Sequence, residues 1–466
     1  MNRRLLTGWG RTAPSLATVA RPRTAEEAAL LLRRAGAEGV PNGHGTSGAS
    51  GAAGRGAIPR GLGRSYGDAA QSAGGLVIEC ADLAPGLRLD PGAGTATASA
   101  GTSLADLMEH LLPHGYFVPV TPGTRHVTVG GAIGADIHGK NHHVDSSFGA
   151  HVRSLTLVTP DGAERVIGPA EDPELFWATV GGMGLTGIIT EATFDVIGVE
   201  TSSVRVDTDR TPDLDTALAL MSASDDRYHY TVCWIDLLAR GASMGRGVLT
   251  RAHHARVADL PSRRRRDPLR YAPRTVAGAP PWVPPRLLNA WSVRAFNTAY
   301  YARAPRCGRD EIQGLGSFFH PLDAVRGWNR LYGPHGLVQY QFVVPFGEEA
   351  TLRRIAERLA SAGAPSFLTV LKRFGPGTPA PLSFPMPGWT LALDLPAELP
   401  GLARLLRACD ELVLSAGGRI YLAKDSRAEA LAVHAMYPRL DEWRAVRERV
   451  DPRGVLVSDL SRRLEL

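Results

Sequence analysis

Two glycine-dense segments, RGLGRSYGD (residues 60–68) and PGTRHVTVGGAIGADIHGKNHH (residues 122–143), limit most strongly what this chain can fold into. Glycine has no Cβ, so consecutive main-chain N–H groups in such a loop can approach a pyrophosphate and surround it as an anion-binding concavity. Two such loops, with one expected helix and two expected strands between them, point to a backbone wrapped around a large phosphorylated cofactor, a dinucleotide above all. The spacing is not that of a Rossmann unit. Gly61, Gly63 and Gly67 do not give GxGxxG, and AAQSAGG after Asp68 lacks the amphipathic pattern of a crossover helix. A single glycine turn is more often a plain connection, so the pair carries the argument.

At 466 residues the chain is long enough for two domains. Its 52 glycines and 34 prolines predict many loops. The net charge of +6 favours an anionic substrate or surface, but with no aromatic-basic motif it does not indicate nucleic acid. Cys80, Cys233, Cys307 and Cys409 lie far apart without CxxC spacing, so neither a zinc site nor a disulfide framework is expected. MNRR at the start is followed by no apolar stretch of a signal peptide, and no run of about 18 apolar residues occurs elsewhere. Peripheral attachment to a membrane stays open.

Thr24 and Glu27 form a capping-box pattern ahead of a short helix. Residues 43–56 are Gly/Ser/Ala-rich and read as a flexible surface loop. Strands are expected at residues 76–80 and 95–100, and a helix whose Leu104, Leu107, Met108, Leu111 and Leu112 share one face behind Ser103 and Asp106. Residues 152–159 and 164–167 flank Pro160-Asp161-Gly162 as a hairpin, and Asp172-Pro173 opens a further helix. Strands and helices mix here without strict alternation, which gives an α+β cofactor domain over residues 1–199. Residues 200–418 read as a second, substrate-binding domain on an antiparallel sheet covered on one side, with strands HYTVCWID, GLVQYQFVVP, SFLTVLKRF and GWTLALDLP and a helix over 348–362. Within it, the Arg- and Pro-rich stretch at about 254–297 is expected to be a mobile loop. Residues 419–466, helical over 428–450, are expected to return to the first domain.

GWGRTAPS, RGLGRSYGD, PGTRHVTVGGAIGADIHGKNHH, LFWATVGGMGLTGI, QYQFVVP, APLSFPMPGW, YLAKDSR and HAMYPRLDEW, in this order across nearly the whole chain, resemble the FAD-dependent decaprenylphosphoryl-β-D-ribose 2'-oxidases of actinobacteria. That family lies within the vanillyl-alcohol-oxidase / p-cresol-methylhydroxylase (PCMH-type) flavoproteins. The resemblance implies a two-domain PCMH-type FAD-binding fold. It implies flavin contacts at Arg60, Gly61, Leu62, Gly63, Arg64, Ser65, Tyr66, Gly67, Asp68 and Ala69, then at Gly123, Thr128, Val129, Gly130, Gly131, Ala135, Asp136, Ile137 and His138, and at Ile189 and Tyr421. Apolar residues such as Val129 and Ile189 would line a flavin or adenine ring. Many relatives bind flavin covalently through a histidine in the first loop. Tyr66 stands in that neighbourhood here, so noncovalent FAD is expected.

Lys424 is implied at the flavin, where a cation stabilises charge developing on the ring. Trp234, Gln339, Gln341 and Lys372 match substrate positions, and lysine suits a phosphate diester, glutamine ribose hydroxyls and tryptophan a sugar face. Ala392 stands where some members have cysteine, Thr390 where asparagine occurs, and Phe319 where tyrosine does. The implied reaction oxidises the 2'-hydroxyl of a polyprenyl-phosphate ribose to a ketone, with His138, Tyr66 and Lys424 as candidates for the proton acceptor. A reductase would complete the epimerisation toward the arabinose donor of cell-wall arabinan.

Rival readings are an alditol or sugar-lactone oxidase, a noncatalytic flavin or polyprenyl-phosphate scaffold, and a metal site at His138, His142 and His143. The last lacks the glutamate of HExxH and sits beside helix-breaking glycines, so no metal is expected. The four arginines 263–266, with Trp282 and Trp291, are expected to meet an anionic surface, placing the protein peripherally at the plasma membrane on an unassigned face.

Overall fold

The computed structural model describes residues 2–37, 55–84, 86–280, 282–284 and 287–466. Of the expected Gly/Ser/Ala-rich surface loop, all but Arg55 and Gly56 lies outside the described residues.

Three main sheets organise the chain. The first runs Asn2–Leu6, Ser15–Ala20, Leu76–Glu79, Ala57–Arg60, with the last three strands parallel. The second is antiparallel: Leu87–Asp90, Thr95–Ser99, Ile188–Asp195, Val152–Val158, Glu164–Ile167. The third has eight strands, all antiparallel, in the order Cys307–Gly314, Ser203–Thr211, Gly247–His254, Tyr230–Ile235, Thr369–Phe374, Gly388–Pro396, Leu337–Pro345, Arg419–Ile420. The α+β class with a large antiparallel sheet therefore holds.

Helices Leu214–Ser222, Glu349–Ser361 and Leu402–Ser415 pack against strands of the large sheet. Each buries an apolar stripe, Leu352, Ile355, Ala356 and Leu359 in the second, and the period-3.6 pattern explains why these segments are helical. The Ser103–Asp106 capping box starts Leu104–Leu111 as expected. Thr24 caps Ala25–Ala37, with Glu27 reaching back to the Arg23 N–H at 2.7 Å.

Two expectations change. Residues 428–450 are two helices, Ala430–Met436 and Leu440–Val450, because Pro438 keeps Tyr437 out of the helical region, at φ −117° and ψ 81°. The basic loop ends sooner than position 297: helix Ala290–Arg303 begins where the Asn289 side chain accepts from the Trp291 and Ser292 N–H groups.

The first glycine loop leaves the end of Ala57–Arg60 and is clamped on both sides. Trp9 N donates to Ser65 O at 2.8 Å, and Tyr66 N donates to Ala423 O at 3.0 Å. A Cβ on Gly67 would stand 1.8 Å from Asp425 O, so only glycine allows this crossing. The C-terminal segment completes the clamp. Val457 N donates to Ala57 O at 2.8 Å, and Arg463 grips Asp68 and Asp425 together.

Candidate active site

Between the two glycine loops and one face of the large sheet lies a cavity of about 990 Å³, at the upper end of what ligand sites hold. Strand register builds its sheet wall. Val248, Trp234, Val370, Ala392 and Gln341 are successive cross-strand neighbours over five strands and all line the cavity. Gln339 and Lys372 lie two residues along their strands from Gln341 and Val370 and share that face. The glycine loops meet opposite, where a Cβ on Gly61 would stand 2.3 Å from Thr128 Oγ1.

Most of the expected contact residues reach the wall: Arg60, Gly61, Leu62, Gly63, Arg64, Ser65, Tyr66, Ala69, Gly123, Thr128, Gly130, Gly131, Ala135, Ile137, His138, Ile189, Tyr421 and Lys424, with Trp234, Gln339, Gln341, Lys372 and Ala392. Five do not. Gly67 is at the crossing with Asp425, and Asp68 is paired with Arg463. Val129 is wholly buried in the core, so it lines no ring. Asp136, also wholly buried, accepts from Gly149 N, Ser383 Oγ and Thr378 Oγ1 at 2.9, 2.5 and 2.9 Å, and so pins the second loop from behind. Thr390 lies beneath Gln341, accepting from Gln341 Nε2 at 3.3 Å and donating to Phe342 O at 2.8 Å.

Gln341 Nε2 also lies 2.9 Å from His138 Nε2. With the amide donating to both Thr390 and His138, the imidazole proton belongs on Nδ1, which is buried without a partner. Burial above all, then the charge of Lys372, lowers the His138 proton affinity well below the ordinary histidine range. The ring is therefore neutral. Burial pushes the Tyr66 phenol well above its ordinary value, so it keeps its proton. Lys424 Nζ lies 4.1 Å from the centre of the Tyr66 ring. Burial brings this lysine down to about 8, with Asp394 opposing the shift.

Sequence reasoning missed Asp394, Lys140 and Cys80. Gln339 Nε2 donates to Asp394 Oδ1 at 2.5 Å; burial pushes this carboxyl up to about 7. Its signal was available: an aspartate in the apolar run GWTLALDLP, two residues beyond Ala392 on the same strand face. Lys140 lines the cavity, and burial lowers it to about 7. Cys80 is on the wall as well, and burial pushes its thiol up to about 12.

The wall suits FAD. It carries glycine-rich backbone from two loops, and Arg60, Arg64, Lys140, Arg303, Lys372 and Lys424 against Glu311 as the carboxylate among the described lining residues. That charge balance calls for an anionic guest. Among the described residues no cluster of three or more His, Cys, Asp or Glu is placed to hold a metal ion.

Comparison with known proteins agrees. The FAD binding domain family matches residues 16–168, and the D-arabinono-1,4-lactone oxidase family matches residues 395–464. Decaprenylphosphoryl-beta-D-ribose oxidase of Mycolicibacterium smegmatis is 45% identical over 463 residues, 99% of this chain and 97% of that protein. A protein in the mprA 5' region of Streptomyces coelicolor is 42% identical over 373 residues, 78% of this chain and 100% of its own length. Alditol oxidase of a Streptomyces species is 26% identical over 193 residues, 41% of each chain.

Proposed function

This chain belongs to the FAD-dependent decaprenylphosphoryl-β-D-ribose oxidase family, and on that premise we propose that it oxidises the 2'-hydroxyl of a polyprenylphosphoryl-β-D-ribose to the 2'-ketone. The carrying observation is the cavity wall, where glycine-rich backbone and six basic side chains stand with one carboxylate among the described lining residues. We assign residues 1–199 to FAD binding, residues 200–418 to the substrate and residues 419–466 to the returning segment; the separate sheets support the first boundary, whereas Arg419–Ile420 still adds the edge strand of the large sheet before the segment turns back.

FAD, when bound, supplies the two-electron oxidising capacity. Thr128, Gly130 and Gly131, at the start of the short helix Val129–Gly134, would hold its pyrophosphate together with the first loop. Tyr66 replaces the histidine of covalent relatives, so the cofactor is held noncovalently. Lys424 takes the hydroxyl proton: burial lowers it to about 8, near an ordinary working pH, as a general base requires, and protonation makes it the cation that charge on the flavin ring calls for. Tyr66 retains its proton, and His138, with Nε2 accepting from Gln341, presents Nδ1–H as a donor. Neither is the base. Gln339 and Gln341 bond ribose hydroxyls, Trp234 packs the sugar face, and Thr390 fixes Gln341 from below.

The product ketone requires a reducing enzyme to complete the epimerisation, which yields the arabinose donor for arabinan. Among the described residues no helix is long and apolar enough to cross a membrane, and we assign the protein to a membrane surface through the exposed Trp282, Trp291 and Phe296. The lactone-oxidase match over residues 395–464 supports a second reading, oxidation of free alditols or lactones. Turnover of polyprenylphosphoryl-ribose against free ribitol and arabinono-lactone decides between them: preference for the free sugars would overturn the first reading.

A further inference from the structure

Two lysines reach the cavity, and among the described residues neither forms an ion pair with a carboxylate. Lys372 Nζ, from strand Thr369–Phe374, donates to Gly139 O at 3.4 Å. The next residue, Lys140, donates to Phe318 O at 2.5 Å and lies 4.0 Å from the centre of the Phe318 ring. Both line the cavity. Each ammonium has three protons to place, and these carbonyls take one apiece. The groups facing Lys372 are Lys140, Lys424, His138 and His142, and those facing Lys140 are Lys372 and His320. None is a carboxylate; Glu311 lines the same cavity but among the described residues pairs with neither lysine, and Asp394 acts at one remove, through Lys424.

Buried charge without a partner is strongly disfavoured, so a fold that retains two such lysines reserves the space between them for an anion. We propose that Lys140 and Lys372 together seat the phosphodiester of the substrate. This rests on the function proposed above and extends it, because a free alditol or lactone has nothing to place there. The other phosphate source, the FAD pyrophosphate, is served by the glycine loops.

Empty, both lysines are brought down to about 7 by burial. A bound anion raises them, so binding takes up protons above pH 7 and weakens as pH rises. His138, His142 and His320 are all lowered by burial and stay neutral throughout. Asp394, pushed up to about 7, is separated out with Asp394→Asn, which should leave the proton uptake in place.

The test titrates FAD-loaded protein at pH 8 with ethyl β-D-ribofuranosyl phosphate, a soluble diester, by calorimetry in two buffers of different ionisation heat. Wild type should take up protons. Lys140→Met and Lys372→Met should each weaken binding about tenfold or more with flavin content unchanged. Lys140→Arg, permanently charged, should keep affinity while taking up fewer protons. Unaltered affinity in both methionine variants overturns the proposal, as does loss of FAD in place of loss of diester binding. Wild type that oxidises polyprenylphosphoryl-ribose while the variants bind normally sinks the phosphate seat alone. Wild type that neither binds the diester nor oxidises the lipid substrate sinks the proposed function and this inference with it.

Discussion

Lys424 Nζ stands 4.1 Å from the centre of the Tyr66 ring, and the backbone fixes that distance, since Tyr66 N donates to Ala423 O at 3.0 Å. The first glycine loop and the YLAKDSR segment are thus one unit, with a lysine at the cavity and a phenol beneath it. Lys424→Ala should keep its flavin, which the glycine loops hold, and lose about 100- to 1,000-fold in flavin reduction. Stopped-flow reduction with substrate measures it. A rate near wild type would leave the lysine without a role in the reaction.

The same Tyr66 predicts how FAD is attached. Acid precipitation should release all flavin to the supernatant, because the first loop offers a phenol that burial keeps protonated. Yellow colour in the washed pellet would show a covalent bond from another residue.

Arg463 holds Asp68, at the end of the first loop, and Asp425, after Lys424, at 2.8 Å each. Arg463→Ala leaves two largely buried carboxylates without their cation, which should cost roughly 3 kcal/mol of stability. Urea unfolding of the holoprotein tests this. A change within about 0.5 kcal/mol, the usual range of a surface substitution, would mean that the clamp is incidental.

Membrane contact predicts salt-sensitive binding to anionic vesicles. Arg263, Arg264, Arg265 and Arg266 are exposed, although Arg265 already donates to Leu260 O and Ala258 O and so holds its own loop. Trp282 and Trp291 are 74% and 80% exposed, far more than a tryptophan without a partner surface normally shows. Changing the four arginines to serine should reduce co-sedimentation at low salt, each arginine near the surface contributing roughly 1 kcal/mol. Equal sedimentation of variant and wild type would remove this loop from the membrane face.

Residue type and strand period made much of the site legible. Gln339 and Gln341 alternate on Leu337–Pro345, and glycine density marked both loops before any contact was visible. Depth was not legible. Thr390, Ala392 and Asp394 alternate on one strand face, yet of the three only Ala392 reaches the wall, because Gln341 covers Thr390 and Gln339 bonds Asp394. Val129 and Asp136 show the same limit: Val129 opens the short helix Val129–Gly134 and its side chain enters the core, and Asp136, two residues past the end of that helix, is buried behind it. The break at Pro438 was readable from the chain, since a residue before proline avoids the helical region, whereas helix Ala290–Arg303 was hidden behind proline-rich composition.

Anaerobic mixing of the purified flavoprotein with polyprenylphosphoryl-β-D-ribose tests the central claim most directly. The account predicts that the flavin bleaches in a single turnover and that a 2'-keto sugar phosphate forms in equal amount, with free ribitol and arabinono-lactone far slower. An oxidised spectrum that persists with the lipid-linked sugar, beside rapid bleaching by a free alditol or lactone, would contradict it.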